Sequence, residues 1–403
     1  MNVLVVDDEP FAHKLLALQL KKLGCQDVLS FECAYDALDF IRSGAKTIAL
    51  IFCDLQMPRM DGIEFVRHLA GIGYGGGLVF VSGEEGRILQ TAQALAKAHQ
   101  LDILGTLNKP VATDLLGQVL ERGFSRVATA PRSARKLYEP AELQRAISAG
   151  ELVNYYQPKV EISTGTVTGM ETLVRWQHPQ DGLVFPDQFI ATAEQFGLIN
   201  DLTRAVMPAA LHQARLWQAM GLDLHVAVNV SMDNLTFLEF PDFVARAVSE
   251  AGVPLSSLVL EVTESRLMKD PRLLLDILTR LRLKRIGLSI DDFGTGHSSL
   301  AQLRDIPFDE LKIDRSFTHG ASRNTSLRAI FEASLGMARQ LGMKTVAEGV
   351  EDRADWDFLR AAGCDSAQGY FIGKPMPATE VPSWMSAWKV RSRELVASTM
   401  SLS

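Results

Sequence analysis

Two adjacent carboxylates in the second half of the chain raise the first question about its chemistry. In the segment LSIDDFGTGHSSL, Asp291 and Asp292 directly follow a stretch that contains Leu288 and Ile290. Neighbouring like charges repel each other, and burying either one is costly unless a positive group compensates. The pair therefore predicts a positive partner at the point where a buried strand ends on a glycine-containing loop.

Further polar residues stand where apolar, strand-like runs stop. They are Glu171, Arg175, Asn229, Glu261, Lys312, Glu348 and Gln368. The candidate ligands are oxygen donors without His or Cys, which favours Mg²⁺ or Mn²⁺ over Zn²⁺. Adjacent carboxylates can serve two ions, and a two-ion site stabilises both the attacking and the leaving oxygen of phosphodiester hydrolysis. Unrelated strand-end salt bridges are the alternative, which agreement across many strand ends disfavours.

The first third of the chain carries a second set of this kind. Asp7 and Asp8 end one apolar run, and Asp54, Ser82 and Lys109 end three others. Three carboxylates around one point need a cation, most plausibly Mg²⁺. A lysine and a hydroxyl nearby suit a phosphoryl group transferred to Asp54. Solvated acids at strand ends are the alternative, which the agreement of all these positions disfavours.

The elements that must position the second set alternate between strand and helix over residues 1–122. The strand runs are NVLVV, VLSFE, IALIFC, LVFVS and DILGTL. The stretch FAHKLLALQLKKLG between the first two has Phe11, Leu15, Leu18 and Lys22 marking the 3.6-residue helical period. This alternation predicts a parallel sheet covered on both faces, a doubly wound, flavodoxin-like fold with its ligands at the carboxyl ends of the strands.

The elements that carry the first set lie in residues 139–390. Eight strand-like runs alternate with helical patterns over ~250 residues, which is typical of a TIM-type β/α barrel. The turn STGT joins the first two runs as in a hairpin, so one strand can be antiparallel. Residues 123–138 are interpreted as a linker, either partly helical or docked on an acidic neighbour through its basic residues. Residues 391–403 are interpreted as a C-terminal tail.

Composition narrows the function classes. The 403 residues carry a formal net charge of −7 and no Lys/Arg-rich run, which disfavours a DNA-binding surface. Apolar runs are too short for membrane insertion, and the first residues lack a signal-peptide pattern. Four cysteines without CxxC spacing favour reduced thiols and a cytoplasmic location. His13, His68 and His99 fall on helical patterns and are interpreted as surface residues.

The N-terminal residues resemble a response-regulator receiver domain over essentially all of residues 1–122. The resemblance implies that Asp54 accepts phosphate from a histidine kinase or a phosphotransfer protein. Asp8 and Asp54, with the backbone carbonyl of Gln56, would hold Mg²⁺, and Ser82 and Lys109 would contact the phosphate. Thr106 stands three residues before the lysine, where receivers usually carry Tyr or Phe.

Residues 139–385 resemble the EAL family of cyclic di-GMP phosphodiesterases. The segments that carry the resemblance are YYQPKV, ETLVRW, NVS, EVTES, DDFGTGHSSL, LKID, AEGVE and QGY. The resemblance implies a modified barrel that binds two Mg²⁺ or Mn²⁺ ions per site and opens cyclic di-GMP to linear pGpG. Thr172 replaces the Ala of the naming triplet, and His297 replaces the usual Tyr of the loop that follows Asp292.

The same resemblance implies a role for each matching residue. The metal ligands would be Glu171, Asn229, Glu261, Asp291, Asp292 and Glu348. Lys312 would orient the attacking water or a phosphate oxygen, and Glu348 is the candidate general base, although a metal-activated water can react without one. Glu171 and Asp291 complete the catalytic set. Substrate contacts would come from Gln157, Arg175, Asp314, Glu351 and Gln368, and Glu264 would anchor the loop 291–299.

The order of the two halves, without a DNA-binding module, resembles the RocR-type response regulators. The resemblance implies a phosphodiesterase that is controlled by phosphorylation of Asp54. It also implies a homo-oligomer formed through the EAL domain, the receiver domain or both. A catalytically silent receptor or scaffold for cyclic di-GMP is the alternative, but such domains typically lose metal ligands, and this chain has kept them.

Overall fold

The structure is a computed structural model that describes residues 2–25, 27–83, 86–99, 101–128, 138–263, 271–294 and 300–397. The chain divides into two compact units, Met1–Arg135 and Lys136–Ser403. Within the described ranges, no helix combines the length and the apolar character that a membrane span requires.

The N-terminal unit is built on a sheet of parallel strands in the order β2-β1-β3-β4-β5. The strands are β1 Asn2–Val6, β2 Asp27–Phe31, β3 Leu50–Asp54, β4 Gly77–Ser82 and β5 Asp102–Asn108, and the helices are α1 Pro10–Lys22, α2 Ala34–Arg42, α3 Gly62–Gly71, α4 Gly86–Ala98 and α5 Thr113–Ala128. One apolar cluster joins the sheet to α1 and α5, and another joins it to α2, α3 and α4. Because helices cover both faces, the predicted doubly wound fold is confirmed.

The face of α1 that meets the sheet differs from the expected one. His13, Leu16 and Leu20 are buried, whereas Phe11 is 73% and Leu18 is 58% exposed. The prediction that His13 lies on the surface was therefore wrong: its ring packs beside the backbone carbonyl of Asp7, 3.4 Å from Nδ1. Apolar residues occur on both sides of α1, so their 3.6-residue spacing does not show which side is buried.

The C-terminal unit is a closed β/α barrel. Its strands are β6 Leu152–Glu161, β7 Val167–His178, β8 Gly182–Val184, β9 His225–Val230, β10 Leu258–Thr263, β11 Gly287–Phe293, β12 Glu310–Ile313, β13 Lys344–Ala347, β14 Ser366–Ala367 and β15 Met376–Pro377. Its helices are α6 Pro140–Ala149, α7 Ile190–Gln195, α8 Ile199–Ala219, α9 Phe240–Ala251, α10 Pro271–Leu283, α11 Leu300–Asp305, α12 Arg315–Thr318, α13 Thr325–Gln340, α14 Arg353–Ala362 and α15 Val381–Ala397. The barrel predicted from the strand rhythm is confirmed.

Barrel closure depends on one reversed strand. From β7 through β9 to β14 neighbouring strands pair in parallel, and β6 closes the ring by pairing antiparallel with both β7 and β14. The short strands β8 and β15 extend the sheet beside β7 and β6 and were missed in the sequence. The run SAQGYFI was also expected to be a longer strand, whereas β14 ends at Ala367.

Alternation along the barrel strands directs polar residues inward. In β10, Leu258, Leu260 and Val262 are fully buried among the core side chains, and Glu261 lies between two of them. Successive residues of a strand point to opposite faces, so Glu261 projects into the barrel. The same alternation places Lys312 of β12 inside, between the outward-facing Leu311 and Ile313.

Candidate active site

The mouth of the barrel brings together acids that four of its strands position: Glu171, Glu261, Asp291 and Asp292 lie within strands, and Glu348 directly follows one. Two groups of carboxylates have ligand atoms within 4.8 Å of one another: Glu171, Glu261 and Asp291 form the first, and Asp291, Asp292 and Glu348 form the second. Asn229 is the register partner of Glu261 on the neighbouring strand. Asp291 is common to both groups, as expected of a ligand that two ions share.

Lys312 stands at the centre of these carboxylates. Its Nζ lies 2.7 Å from Glu348 Oε1, 3.0 Å from Asp291 Oδ1 and 3.0 Å from Glu261 Oε2, and Glu171 Oε2 is 3.5 Å away. Burial by itself disfavours the charged ammonium, but the surrounding carboxylates outweigh it and raise the pKa of Lys312 well above its usual value. The lysine is therefore a permanent positive charge between the two acid groups.

A break in the sheet explains why two consecutive aspartates can both reach the site. The pairing of β11 with β12 shifts register between Ile290 and Phe293, and Asp292 has φ +55°. In a regular strand the two side chains would point to opposite faces, but a bulge re-aims one of them. Gly294 follows with φ +98°, and the ring of Phe317 fills the space that a Cβ there would need.

Glu171 is held by neutral side chains as well as by the lysine. Asn229 Nδ2 donates to Glu171 Oε1 at 2.9 Å, and Gln368 Nε2 donates to Glu171 Oε2 at 2.6 Å and to Gln157 Oε1 at 3.1 Å. Burial acts to raise the pKa of Glu171, but Lys312 and these donors together lower it. Glu171 is thus ionised and fixed in direction before any cation binds.

Three further acids, Glu261, Glu348 and Asp292, are held closer to their neutral forms. Burial raises the pKa of Glu261 well above its usual value and that of Glu348 to about 8. Burial and the neighbouring Asp291 raise the pKa of Asp292 to about 6. Crowded, buried carboxylates behave in this way, and divalent ions would relieve the repulsion. The donor set, carboxylate oxygens with the Asn229 amide, fits Mg²⁺ or Mn²⁺.

A cavity of about 310 Å³ opens over these groups. It is lined by Gln157, Glu171, Leu173, Asp291, Asp292, Arg315, Glu348, Gly349, Glu351, Gln368, Gly369 and Tyr370. The sequence did not single out Leu173, Arg315 or Tyr370, although each is within two residues of a residue that it did. Leu173 follows Glu171 by two positions, so strand alternation could have placed it on the same face.

Two predicted substrate contacts lie apart from this lining. Arg175 is buried, with its guanidinium 5.0 Å from the Phe185 ring and 5.6 Å from the Tyr155 ring. Asp314 is the N-cap of α12, where its carboxylate accepts from the backbone N–H of Ser316 at 2.9 Å. Neither is among the described residues that line the cavity, so their roles toward a substrate stay predictions. Glu264, His297 and the rest of the loop 295–299 lie outside the described residues.

The N-terminal unit has its own acidic site at the ends of β1 and β3. Ligand atoms of Asp7, Asp8 and Asp54 lie within 4.8 Å of one another. Lys109 Nζ is 2.6 Å from Asp54 Oδ2 and 2.8 Å from Asp7 Oδ2. Burial raises the pKa of Asp54, against the lowering effect of Lys109. These three acids fit one Mg²⁺ ion beside a lysine.

Backbone groups complete this second site. The N–H of Gln56 donates to Asp54 Oδ1 at 3.1 Å, and the N–H of Glu9 donates to Asp7 Oδ1 at 3.0 Å. Ser82 ends β4 and is buried, and its carbonyl accepts from the N–H of Lys109 at 3.0 Å. The structure thus brings together the residues that the sequence assigned to phosphate transfer.

Comparison with known proteins gives matches for both units. The family model described as "Response regulator receiver domain" matches residues 3–121, and the model described as "EAL domain" matches residues 141–375. Cyclic di-GMP phosphodiesterase RocR of Pseudomonas aeruginosa is 33% identical over 380 residues, which cover 94% of this chain and 96% of that protein. The resemblance stated from the motifs is therefore confirmed.

Two further matches concern the barrel. Bifunctional diguanylate cyclase/cyclic di-GMP phosphodiesterase MucR of Pseudomonas aeruginosa is 43% identical over 241 residues, which cover 60% of this chain and 35% of that protein. A solved structure described as the PaMucR phosphodiesterase in a c-di-GMP complex matches with a TM-score of 0.57 and 42% identity, covering 60% of this chain and 98% of that chain.

Proposed function

This chain belongs to the EAL domain family and carries a response regulator receiver domain, and we propose that it is a response regulator that hydrolyses cyclic di-GMP. The observation that carries the proposal is the barrel mouth, where five carboxylates and Asn229 surround the buried ammonium of Lys312. Full-length similarity to RocR and barrel similarity to MucR support the same substrate.

The proposed mechanism uses two divalent cations. Glu171, Asn229, Glu261 and Asp291 would hold one, and Asp291, Asp292 and Glu348 the other. When bound, the cations supply Lewis-acid stabilisation of the charge that develops on the phosphate oxygens. Mg²⁺ and Mn²⁺ both suit this oxygen-rich set.

The side chains of the chain supply orientation and proton transfer. Glu348 Oε1 lies 2.7 Å from Lys312 Nζ, so its carboxylate is fixed toward the centre of the mouth. We assign Glu348 as the group that takes the proton of the attacking water while the water oxygen bonds to phosphorus and the phosphorus–O3′ bond breaks; the leaving O3′ is protonated by water and departs as the 3′-hydroxyl. Gln157 and Gln368 would bind the nucleotide from the cavity wall, and linear pGpG would leave with a 5′-phosphate.

Control is assigned to the receiver domain. Asp54 would accept a phosphoryl group from a histidine kinase or a phosphotransfer protein, beside Mg²⁺ held by Asp8, Asp54 and the Gln56 carbonyl. Lys109 and Ser82 would bind the transferred phosphate. Phosphorylation then changes turnover by shifting the chain between two states, and self-association through either domain stays a prediction.

The test is a product assay on the full chain with Mg²⁺ or Mn²⁺. We expect pGpG to form, and we expect beryllofluoride, a mimic of the phosphoryl group, to change kcat more than KM. The variant Asp54→Asn should be insensitive to beryllofluoride. Tight binding of cyclic di-GMP with no product under either condition would instead identify a silent receptor, and equal kinetics with and without beryllofluoride would remove the assigned control.

A further inference from the structure

The C-terminal helix α15 contacts the segment that directly follows the cavity wall, although it lies beyond the part of the chain that matches the EAL model. The match ends at residue 375, and α15 spans Val381–Ala397. Residues 368–374, the last part of the match, follow β14 and begin along the cavity; these residues are called the pocket loop. Gln368, Gly369 and Tyr370 of the pocket loop line the cavity.

From the outside, α15 holds two consecutive carbonyls of the pocket loop. Arg391 Nη1 donates to the carbonyl of Phe371 at 2.6 Å, and its guanidinium lies 4.2 Å from the centre of the Phe371 ring. Trp384 Nε1 donates to the carbonyl of Ile372 at 3.3 Å. Trp384 also stacks on Trp388, whose Nε1 donates to the carbonyl of Gly165 at 2.8 Å, so these donors stand on an anchored helix.

From the inside, the barrel holds the next carbonyl. Gln157 Nε2 donates to the carbonyl of Gly373 at 3.1 Å, and Gln157 Oε1 accepts from Gln368 Nε2 at 3.1 Å. Gln368 in turn donates to Glu171 at 2.6 Å. A continuous line of contacts therefore runs from α15 through the pocket loop to a carboxylate of the proposed metal site.

The backbone of the pocket loop is tightly enclosed at Gly373. A Cβ at Gly373 would lie 2.7 Å from Pro158 Cγ and 2.9 Å from Trp384 Nε1. Pro158 is a rigid ring in β6 and Trp384 is stacked on Trp388, so the backbone is confined between β6 and α15. Three consecutive carbonyls held by side chains, together with this fit, keep the pocket loop in place whether or not a ligand is present.

We propose that α15 is a positioning element for the nucleotide site and that Arg391 and Trp384 act on it through the carbonyls of Phe371 and Ile372. The proposal rests on the proposed function for the identity of the nucleotide, cyclic di-GMP. Some residues orient binding groups without touching the substrate. They change the affinity for the substrate because they set the fraction of molecules in which the site already has its binding geometry. Arg391 and Trp384 are thus positioning residues, not catalytic residues.

The experiment compares Arg391→Gln and Arg391→Lys with Arg360→Gln in the full chain. Arg360 Nη1 donates to the carbonyls of Leu395 and Val396 at 2.9 and 3.0 Å, so its loss weakens the same helix near its C-terminal end without removing a contact to the pocket loop. We expect Arg391→Gln to raise KM for cyclic di-GMP about tenfold with kcat changed less than about twofold. Arg391→Lys should recover part of the loss, and Arg360→Gln should leave KM unchanged.

Amide hydrogen exchange without nucleotide gives a second measurement that does not depend on catalysis. We expect a peptide covering residues 368–374 to exchange faster in Arg391→Gln, and to exchange as in the wild type in Arg360→Gln. Unchanged exchange in Arg391→Gln, or equal effects of both variants on KM and exchange, would overturn the proposal. If the wild type forms no pGpG, the proposed function fails, and the exchange result still decides the role of α15.

Discussion

The two acidic sites of this chain contain the same kinds of residue, but the barrel site is more deeply buried than the receiver site. Each gathers carboxylates at the ends of parallel strands around one lysine. The side chain of Lys109 is 22% exposed and follows the last strand of an open sheet, whereas that of Lys312 is 1% exposed and lies within a barrel strand. An open edge suits a site that a partner protein must reach, and an enclosed one suits charges that must act in a low dielectric.

The two sites also differ in net charge. Three carboxylates and one ammonium leave two net negative charges at the receiver site, which matches a single divalent cation. When cations are bound and all carboxylates are ionised, five carboxylates and one ammonium leave four net negative charges at the barrel mouth, which matches two divalent cations. The difference supports one Mg²⁺ ion in the first site and a pair of divalent ions in the second.

The largest expected effect comes from removing the carboxylate that both barrel acid groups share. Asp291→Asn should lower kcat at least about a thousandfold, because it weakens the binding of both cations and a loss of several kcal/mol in charge stabilisation slows the reaction by that factor. The measurement is pGpG formation at saturating Mn²⁺. The control is Asp305→Asn, an exposed aspartate that pairs with Arg304 at 2.7 Å, which should keep wild-type kcat.

The second prediction tests the difference in depth between the lysines. Lys312→Met leaves buried carboxylates without their counter-charge and should lower the free energy of unfolding of the barrel by about 3–5 kcal/mol in the presence of EDTA. Lys109→Met should cost less than about 1 kcal/mol, since its side chain is partly solvated.

Tryptophan fluorescence follows barrel unfolding alone in this experiment, because all five tryptophans lie in the C-terminal unit. Urea unfolding followed by fluorescence should show a lower midpoint for Lys312→Met, partly restored by Mn²⁺, and urea unfolding followed by far-UV circular dichroism, which also reports the N-terminal unit, should show a nearly unchanged N-terminal transition for Lys109→Met. Equal midpoints for the two variants would contradict the assignment of Lys312 as the charge that holds the acids together.

The contrast between the sites also marks what the sequence could predict. Acids placed after apolar runs predicted both clusters, because alternation and parallel strand order are local rules that need no knowledge of neighbours. The sequence predicted that both aspartates serve the site, but the bulge that lets consecutive residues reach it depends on how β11 pairs with β12, and no local pattern reveals that pairing.

Tertiary contacts decided the remaining differences. The pocket loop was expected to continue β14. Instead, the N–H of Phe371 donates to the carbonyl of Val350 at 2.9 Å, and Trp384 of α15 donates to the carbonyl of the next residue, Ile372. In α1 apolar residues occur on both faces, and packing on the sheet selected Leu16 and Leu20 over Phe11 and Leu18. The local sequence predicted whether a segment is a helix or a strand. Which face of a helix is buried and how far a strand extends depend on the elements that pack against it.

A smaller effect tests how each site orients its ligands. In the receiver a backbone N–H orients Asp54, whereas in the barrel the side chain of Gln368 donates to Glu171 at 2.6 Å. Gln368→Met should therefore weaken Mn²⁺ binding about 10–100-fold, the usual cost of losing such an orienting partner. Calorimetric titration without nucleotide measures this, with the exposed Gln177→Met as control. Unchanged Mn²⁺ affinity would mean that Lys312 and Asn229 suffice.

The smallest predicted effect concerns Thr172, beside Glu171 on β7. Its hydroxyl is buried and has no hydrogen-bond partner among the described residues. The carboxylate of the adjacent Glu171, by contrast, accepts from Gln368. Replacing an unsatisfied buried hydroxyl by a methyl group removes a desolvation cost, so Thr172→Val should raise the free energy of unfolding by about 1 kcal/mol. Thr172→Ala should gain less because it also leaves a small cavity. Urea unfolding followed by tryptophan fluorescence checks both, and a lower midpoint for Thr172→Val would show that an ordered water satisfies the hydroxyl.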